Sequence, residues 1–376
     1  MRYILQVNTG SFQRCAATPE HVVAHVERCL DRLDVSDVIF GWTNRREVHD
    51  ALSDLLLRRN IRQHLWLPIF AEIDHAKSAA PFMMAEGHGS GALHLCEGEH
   101  FEFVCPSAPE NLSGAFAAFE SLAIGLPLDG VFVDRIRYPS TANDPAALWG
   151  CGCAHCRAIY EEAGALLSAG DLLPVALEHC RYHFANPRAE ALFAAKRTTI
   201  NRAVAGICDH FHQKGLAVGL DSFAPSVSDF VGQDVVALAG MVDFIKPMMY
   251  RRTTAPAGIP FEMDALATAL GARFDETLAQ LWGGDVLSDE INQRQMAALQ
   301  SVGGNTYPGI ETNRIDGICT STPDYVRESI AQADAAGCQR VVLSWDALHM
   351  PDDILDLLSQ RKSRSANEIA PRLSVI

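Results

Sequence analysis

Eight short segments with β-strand composition recur along this 376-residue chain, and they constrain its fold more than any other feature. Most are separated by stretches long enough for a helix that crosses back over a sheet. The predicted strands are residues 3–7, 37–42, 64–70, 130–134, 216–221, 242–247, 306–310 and 340–345. Because strand and helix alternate eight times, the sequence predicts an α/β fold of the (β/α)8 TIM-barrel type.

Helix-capping residues support this alternation. Thr18 stands before a helix predicted over 19–33, and Thr322 stands before one predicted over 323–336. A threonine at this position accepts hydrogen bonds from the first free N–H groups of a helix. The main alternative is a doubly wound open sheet. No Gly-x-Gly-x-x-Gly follows the first strand, which removes the commonest nucleotide-binding form of that fold.

Two insertions interrupt the predicted barrel. The stretch 72–109 after the third strand is rich in Gly, His and Met and predicts a long loop over the active face. The stretch 139–200 after the fourth strand predicts an inserted helical, cysteine-rich subdomain. We expect one catalytic domain over 1–361, followed by a flexible C-terminal tail over 362–376.

The composition combines a 48% hydrophobic fraction with a formal net charge of −15. Binding to a nucleic-acid backbone needs a basic surface, so we expect no nucleic-acid partner. The apolar runs are too short to span a bilayer, so we expect no membrane partner. No signal-peptide pattern precedes the first strand, which favours a cytoplasmic protein. Whether the chain forms a homo-oligomer is left open.

The segment Asp129-Gly-Val-Phe-Val-Asp-Arg-Ile-Arg-Tyr-Pro139 is the strongest functional signal. An apolar run typical of a buried parallel strand ends in Asp134, followed by Arg135 and Arg137. In a TIM barrel, the carboxyl end of each strand faces the catalytic side. Asp134 is therefore predicted to be catalytic. The alternative is a buried Asp–Arg pair that only holds a loop in place.

Polar residues follow most of the other predicted strands as well. They are Asn8, Trp42, Thr43, Asn44, Glu72, Asp221, Tyr250, Glu311, Trp345 and Asp346. Carboxylates from several strands that converge on one mouth are what cleavage of a glycosidic bond requires, because one must donate a proton and another must stabilise or attack the anomeric carbon. Asp134, beside two arginines, fits the ionised role. Glu311, with no adjacent cation, fits the acid, and Asp221 competes with it.

A sugar site also needs aromatic and polar side chains, because pyranose C–H faces pack on aromatic rings while the hydroxyl groups form hydrogen bonds. Core packing is the alternative for each aromatic ring. Lys246 follows an apolar stretch, so we expect a buried lysine that pairs with Asp134 or Asp221. The predicted substrate-binding residues are Trp42, Glu72, Arg135, Arg137, Tyr138, Lys246, Tyr250, Trp345 and Asp346.

Eleven cysteines in a chain without a leader favour thiols or metal ligands over disulfides. Cys151, Cys153 and Cys156 are dense enough to hold a structural zinc ion, with a fourth ligand from His155, Cys105, Cys180 or elsewhere. The alternative is a set of reduced thiols at a turn. We expect no cofactor to be required for the chemistry itself.

The 129–139 segment resembles a motif of uncharacterised glycoside-hydrolase-like TIM-barrel families, of the form D-G-(aliphatic/aromatic)-x-x-D-x-I-R-Y/F-P. The stretches 104–110 and 243–250 are similar to the segments that flank this motif in those families. The resemblance spans roughly residues 100–350 and implies retaining-type glycosidase ancestry, with Asp134 in the nucleophile position. It does not transfer the second carboxylate, so Asp221 and Glu311 both stay open.

The sequence thus predicts an enzyme that acts on a carbohydrate or glycoside substrate, with Asp134 as nucleophile or transition-state stabiliser and Glu311 as acid/base. One alternative is a metal-assisted isomerase or lyase of a carbohydrate acid, which would use Glu72, Asp221, Glu311 and His75. Another is a sugar-binding barrel without catalysis.

Overall fold

The predicted barrel is confirmed. The computed structural model describes residues 1–9, 18–42, 45–71, 80–84, 102–165 and 172–369, with side chains described up to residue 360. Eight parallel strands close into one barrel in the order β1-β12-β9-β8-β7-β4-β3-β2. These strands are β1 (Arg2–Asn8), β2 (Val35–Gly41), β3 (Arg62–Pro68), β4 (Gly130–Asp134), β7 (Ala217–Phe223), β8 (Phe244–Met248), β9 (Gly309–Glu311) and β12 (Arg340–Ser344).

Four further strands form two small antiparallel hairpins outside the barrel. One pairs β5 (Pro174–Glu178) with β6 (Arg181–Phe184), and the other pairs β10 (Arg314–Ile315) with β11 (Cys319–Thr320). The first lies in the insertion after β4. The second follows β9, at the mouth side of the barrel.

The helices alternate with the barrel strands as predicted. They are α1 (Pro19–Arg32), α2 (Arg46–Arg58), α3 (Pro109–Ala123), α4 (Ala154–Glu162), α5 (Pro187–His212), α6 (Pro225–Ser228), α7 (Val235–Ala239), α8 (Ile259–Leu270), α9 (Phe274–Trp282), α10 (Asp289–Gly303), α11 (Pro323–Ala335) and α12 (Asp352–Ile369). The side chains of Thr18 and Thr322 accept hydrogen bonds from the starts of α1 and α11, as expected of N-caps.

The element boundaries differ from the predicted ones in three informative places. β4 has the predicted bounds, whereas β9 begins at Gly309 instead of residue 306, because Thr306 makes only an isolated bridge to Ile245. Helix α5 continues through residue 200, the predicted end of the insertion, and links it directly to β7. Helix α12 runs to Ile369, past position 362, where the tail was predicted to begin.

Glycines on the barrel strands leave room for large side chains from neighbouring strands. A Cβ at Gly219 would lie 2.2 Å from Cζ of Phe244, and one at Gly309 would lie 2.4 Å from Cε of Lys246. Phe132 and Phe244 stack with ring centroids 5.9 Å apart, and Trp66 meets Phe132 edge to face. These rings form an aromatic layer across the barrel interior.

An ionic cluster lies at the amino end of the barrel, opposite the mouth. The buried carboxylate of Asp37 contacts Nε2 of His64 at 3.0 Å, Nε of Arg62 at 2.9 Å and a guanidinium nitrogen of Arg340 at 3.2 Å. It therefore ties β2 to β3 and β12. Among the residues that the structure describes, no helix combines the length and apolar character needed to cross a membrane.

Candidate active site

Three charged residues, Asp134 on β4, Asp221 on β7 and Lys246 on β8, meet at the carboxyl end of the barrel, where these three strands are neighbours. β4 pairs with β7 through Val133 and Leu220, so the residues that follow them, Asp134 and Asp221, lie at the same level of neighbouring strands. Asp221 pairs in register with Lys246 on β8. All three side chains are buried, and Asp134 has the largest exposed fraction, 8%. The predicted convergence of polar strand ends is present for this part of the mouth.

Asp134 accepts hydrogen bonds from a residue on the neighbouring strand β3 and from the residue that follows it in the chain. Its Oδ2 accepts a hydrogen bond from the indole nitrogen of Trp66 on β3 at 3.1 Å. Its Oδ1 accepts one from the backbone nitrogen of Arg135 at 2.5 Å, where Arg135 has a left-handed backbone with φ of +57°. Two donors of this kind favour a fixed carboxylate orientation.

The two arginines after Asp134 lie over aromatic rings. The guanidinium carbon of Arg135 is 5.8 Å from the ring centroid of Trp42 and 5.8 Å from that of Phe103. That of Arg137 is 4.9 Å from the Phe103 ring and 4.4 Å from the ring of Phe223. Such cation–π contacts orient a guanidinium group without neutralising it. The arginines thus supply positive charge beside Asp134.

Asp221, Lys246 and Tyr250 form a buried chain of hydrogen bonds. The Lys246 ammonium donates to Oδ2 of Asp221 at 2.9 Å and contacts the Tyr250 hydroxyl at 2.6 Å. Burial raises the pKa of Asp221 to about 7, and the nearby charge of Asp134 adds to this, although Lys246 opposes it. Burial lowers the pKa of Lys246. The predicted pairing of Lys246 with Asp221 is present.

Glu311 is held on both carboxylate oxygens by groups from other elements. Its side chain is fully buried, and its carboxylate accepts hydrogen bonds from the Tyr325 hydroxyl at 2.7 Å and from the backbone nitrogen of Arg252. Burial raises its pKa. These contacts join β9 to α11 and to the loop after β8, so Glu311 acts as an anchor between elements.

Trp42, Trp345 and Asp346 lie around the mouth. Trp42 and Trp345 are partly exposed, and the Trp42 ring meets Trp66 edge to face at 5.7 Å. Asp346 is buried and accepts hydrogen bonds from the backbone nitrogens of Asn8 and Leu348, each at 3.1 Å. Burial raises its pKa to about 7. The two tryptophan rings are therefore the better candidates to contact a ligand.

Tyr138 lies in the core instead of at the mouth. It is fully buried, its ring meets Phe82 edge to face at 6.5 Å, and the ammonium of Lys196 lies 5.3 Å from its centroid. We therefore leave Tyr138 out of the candidate site. Thr43, Asn44, Glu72, His75 and the glycine-rich stretch 87–91 lie outside the described residues.

The sequence reasoning missed Trp66, the donor to Asp134. A signal was available, because side chains alternate along a strand, and the inward face of β3 that carries His64 also carries Trp66 two residues later. Phe103 was also missed. It lies between the two arginines although it is far from them in sequence, and no local pattern marks it.

The predicted cysteine cluster comes together beside the insertion after β4. The Sγ atoms of Cys105, Cys151, Cys153 and Cys156 all lie within 4.8 Å of one another, and all four side chains are buried. Cys105 comes from the segment before α3, and the other three precede or begin α4. His155 and Cys180, the other proposed fourth ligands, are not part of this group.

No protein-family model and no curated protein matches this chain. Among solved structures, the glycoside hydrolase domain of PgaB (BpsB) from Bordetella bronchiseptica is similar, with a TM-score of 0.60 at 13% identity over 100% of both chains. α-L-Fucosidase isoenzyme 2 from Paenibacillus thiaminolyticus is similar with a TM-score of 0.59 at 10% identity, over 98% of this chain and 50% of that one. At such identities the likeness concerns the fold alone, and the expected TIM-barrel fold is confirmed.

Proposed function

We propose that the protein cleaves a glycosidic bond with Asp134 and Asp221 as its carboxylate pair. The observation that carries the proposal is that these two side chains lie at the same level of neighbouring barrel strands in different electrostatic environments. Asp134 is fixed by an indole and a backbone donor, while burial raises the pKa of Asp221 to about 7. A pair with such different surroundings suits one ionised and one protonated role.

In this mechanism Asp134 carries the negative charge that faces the anomeric carbon. It attacks that carbon or stabilises the positive charge that develops there, and the Trp66 indole keeps its carboxylate oriented. Asp221 donates a proton to the leaving oxygen. Lys246 holds the Asp221 side chain in position and keeps its pKa from rising further. Whether the reaction retains or inverts configuration depends on the gap that the substrate leaves for water.

The sugar would lie at the mouth between Trp42 and Trp345. Both indole rings are partly exposed there, and aromatic faces of this kind pack against pyranose C–H groups. Arg135 and Arg137 would bind hydroxyl or acidic groups of the substrate. One solved structure that matches the chain over its full length is a glycoside hydrolase domain, which supports carbohydrate as the substrate class.

The acid role can be assigned by comparing Asp221→Asn with Glu311→Gln. We favour Asp221, because both oxygens of Glu311 are engaged by Tyr325 and Arg252. Loss of the acid should be severe on substrates with poor leaving groups and mild on activated aryl glycosides, which need little protonation. Asp221→Asn should show this pattern, and Glu311→Gln should lower stability. The reverse pattern would return the acid role to Glu311.

The proposal is tested by turnover of a panel of aryl glycosides by the wild type and by Asp134→Asn. We expect kcat to fall by roughly a hundredfold or more in the variant, with the fold retained. Asp129→Asn is a matched control just before the start of the same strand, where the Asp129 side chain accepts a hydrogen bond from the backbone nitrogen of Gln63. Sugar binding without turnover by the wild type would favour the non-catalytic barrel. Turnover that depends on added divalent metal would favour the isomerase or lyase.

A further inference from the structure

We propose that Cys105, Cys151, Cys153 and Cys156 bind one zinc ion in a closed structural site. Tetrahedral Zn–S bonds of about 2.3 Å place the four sulfurs about 3.8 Å apart. The four Sγ atoms here lie within 4.8 Å of one another, with Cys105 at 3.3 Å from Cys153 and 3.5 Å from Cys156. These separations are far longer than the S–S bond of a disulfide, which is about 2.05 Å.

The four sulfur ligands indicate which metal the site would bind. Four thiolates in one tight group suit zinc, and they leave no open position for substrate or water. An iron–sulfur cluster would distribute its cysteine ligands around several iron atoms, farther apart than a single ion does. The site is therefore structural and separate from the carboxylates at the barrel mouth.

Neighbouring groups fit metal-bound thiolates. The backbone nitrogen of Met83 donates a hydrogen bond to Sγ of Cys151 at 3.4 Å, and the Ser107 hydroxyl contacts Sγ of Cys156 at 3.1 Å. Cys153 is the N-cap of α4 and Cys156 lies in its first turn, where the free N–H groups favour negative charge. Such hydrogen bonds commonly support the ligands of a metal site.

The site joins two insertions that come from different barrel strands. Cys105 belongs to the connection after β3, and the other three ligands belong to the connection after β4. Short backbone bridges accompany the cluster, since Met84 pairs with Cys151 and Pro81 pairs with Val104. Zinc would add a cross-link between these two segments to the backbone bridges that already join them.

The proposed zinc site is linked to the candidate active site through Phe103. This residue lies two positions before Cys105, and its ring supports the guanidinium groups of Arg135 and Arg137. Loss of zinc should therefore release Phe103 and loosen both arginines, while Asp221 and Lys246, held within the barrel, keep their contact. Zinc thus acts on the arginines by positioning Phe103.

The test measures metal content and stability of the full chain purified without chelator. We expect about one equivalent of zinc in the wild type, and its loss in Cys105→Ala. Cys338→Ala is the matched control, a buried cysteine outside the cluster, and it should keep its zinc. Removal of zinc from the wild type should lower Tm by at least about 5 °C, and zinc added back should restore it.

Two further readouts keep the proposal testable even when a cysteine variant folds poorly. Cobalt substituted into the wild type should give the strong visible bands of a tetrahedral thiolate site. Hydrogen exchange should rise on zinc removal at 102–108 and 151–157, and not in β7 or β8. Less than about a tenth of an equivalent of zinc in folded wild type, or zinc retained by Cys105→Ala, would overturn the proposal. Iron in place of zinc would overturn the identity of the metal.

Discussion

The Lys246 ammonium donates a hydrogen bond to Oδ2 of Asp221 across 2.9 Å, and neither side chain has more than 2% of its surface exposed. A pair so deeply buried is held by geometry, because the cost of removing both charges from water offsets much of their attraction. The functional effect of the Lys246–Asp221 pair is to set the protonation state of Asp221, which lies beside Asp134.

Lys246→Met should therefore destabilise the protein strongly, since it leaves a buried carboxylate without its partner. We expect a loss of about 3–5 kcal/mol in the free energy of unfolding, measured by urea denaturation. The double variant Lys246→Met/Asp221→Leu should recover part of this loss. Arg2→Met breaks an exposed pair with Asp34 and should cost less than about 1 kcal/mol. Equal effects of the two single variants would contradict this view of the pair.

The protonation of Asp221 should appear in the pH dependence of catalysis. Burial raises its pKa to about 7, so the protonated form needed for an acid is lost as the pH rises through that value. For a glycoside with a poor leaving group, kcat/KM should fall above about pH 7, and this limb should be absent in Asp221→Asn. An activated aryl glycoside should show a weaker limb. An unchanged limb in Asp221→Asn would assign it to another group.

The orientation of Asp134 should depend on Trp66. Trp66→Phe keeps an aromatic ring but removes the indole donor, and a hydrogen bond to a charged group contributes about 1.5–3 kcal/mol. We expect kcat to fall about tenfold or more, with a smaller change in KM. Trp282→Phe is the matched control, because it removes a buried indole donor whose partner is Tyr182 and not a proposed catalytic carboxylate. Similar kinetics for both variants would remove Trp66 from the site.

Acid should weaken the barrel through its amino-end ionic cluster. Burial raises the pKa of Asp37, but the hydrogen bond and charge of His64 and the charge of Arg62 outweigh it and lower the pKa to about 2. Because the folded-state pKa lies below the ordinary value, the stabilisation is present above about pH 4 and lost as the pH falls toward 2. It amounts to about 2 kcal/mol. Urea unfolding of Asp37→Asn between pH 7 and pH 3 should show a flatter decline than wild type, and an equally steep decline in the variant would contradict this role of Asp37.

Close packing inside the barrel should contribute to stability as much as the buried charges do. Gly219→Ala places a methyl group 2.2 Å from Cζ of Phe244, so we expect a loss of about 1–3 kcal/mol. Gly206→Ala is the matched control. It lies in α5, its new Cβ would be 3.6 Å from the nearest atom outside the helix, and it should be neutral or stabilising by up to about 1 kcal/mol. Thermal unfolding measures both, and a tolerated Gly219→Ala would mean that the aromatic layer can repack.

The fold was predictable because strand composition, helix caps and alternation all act locally. The meeting of Asp134, Asp221 and Lys246 was predictable as well, since parallel strands bring their carboxyl ends to one edge. The hydrogen bonding of Glu311 was not predictable, because it depends on the hydroxyl group of Tyr325, which lies on α11. Tyr138 could not be placed either. Arg135 adopts a left-handed backbone between Asp134 and Tyr138, and nothing local marks a non-glycine residue for that conformation.

The aromatic layer between the two charged ends of the barrel has a consequence for how the protein can vary. The Asp37 cluster and the Asp134 level are four residues apart along β3 and β4, about 13 Å at the usual strand rise. Arg62 and Arg340 already balance the charge of Asp37 locally. Substitutions in the Asp37 cluster at the amino end of the barrel can therefore change the melting temperature while the pKa of Asp221 stays constant. Stability and catalytic chemistry can thus evolve independently within one barrel.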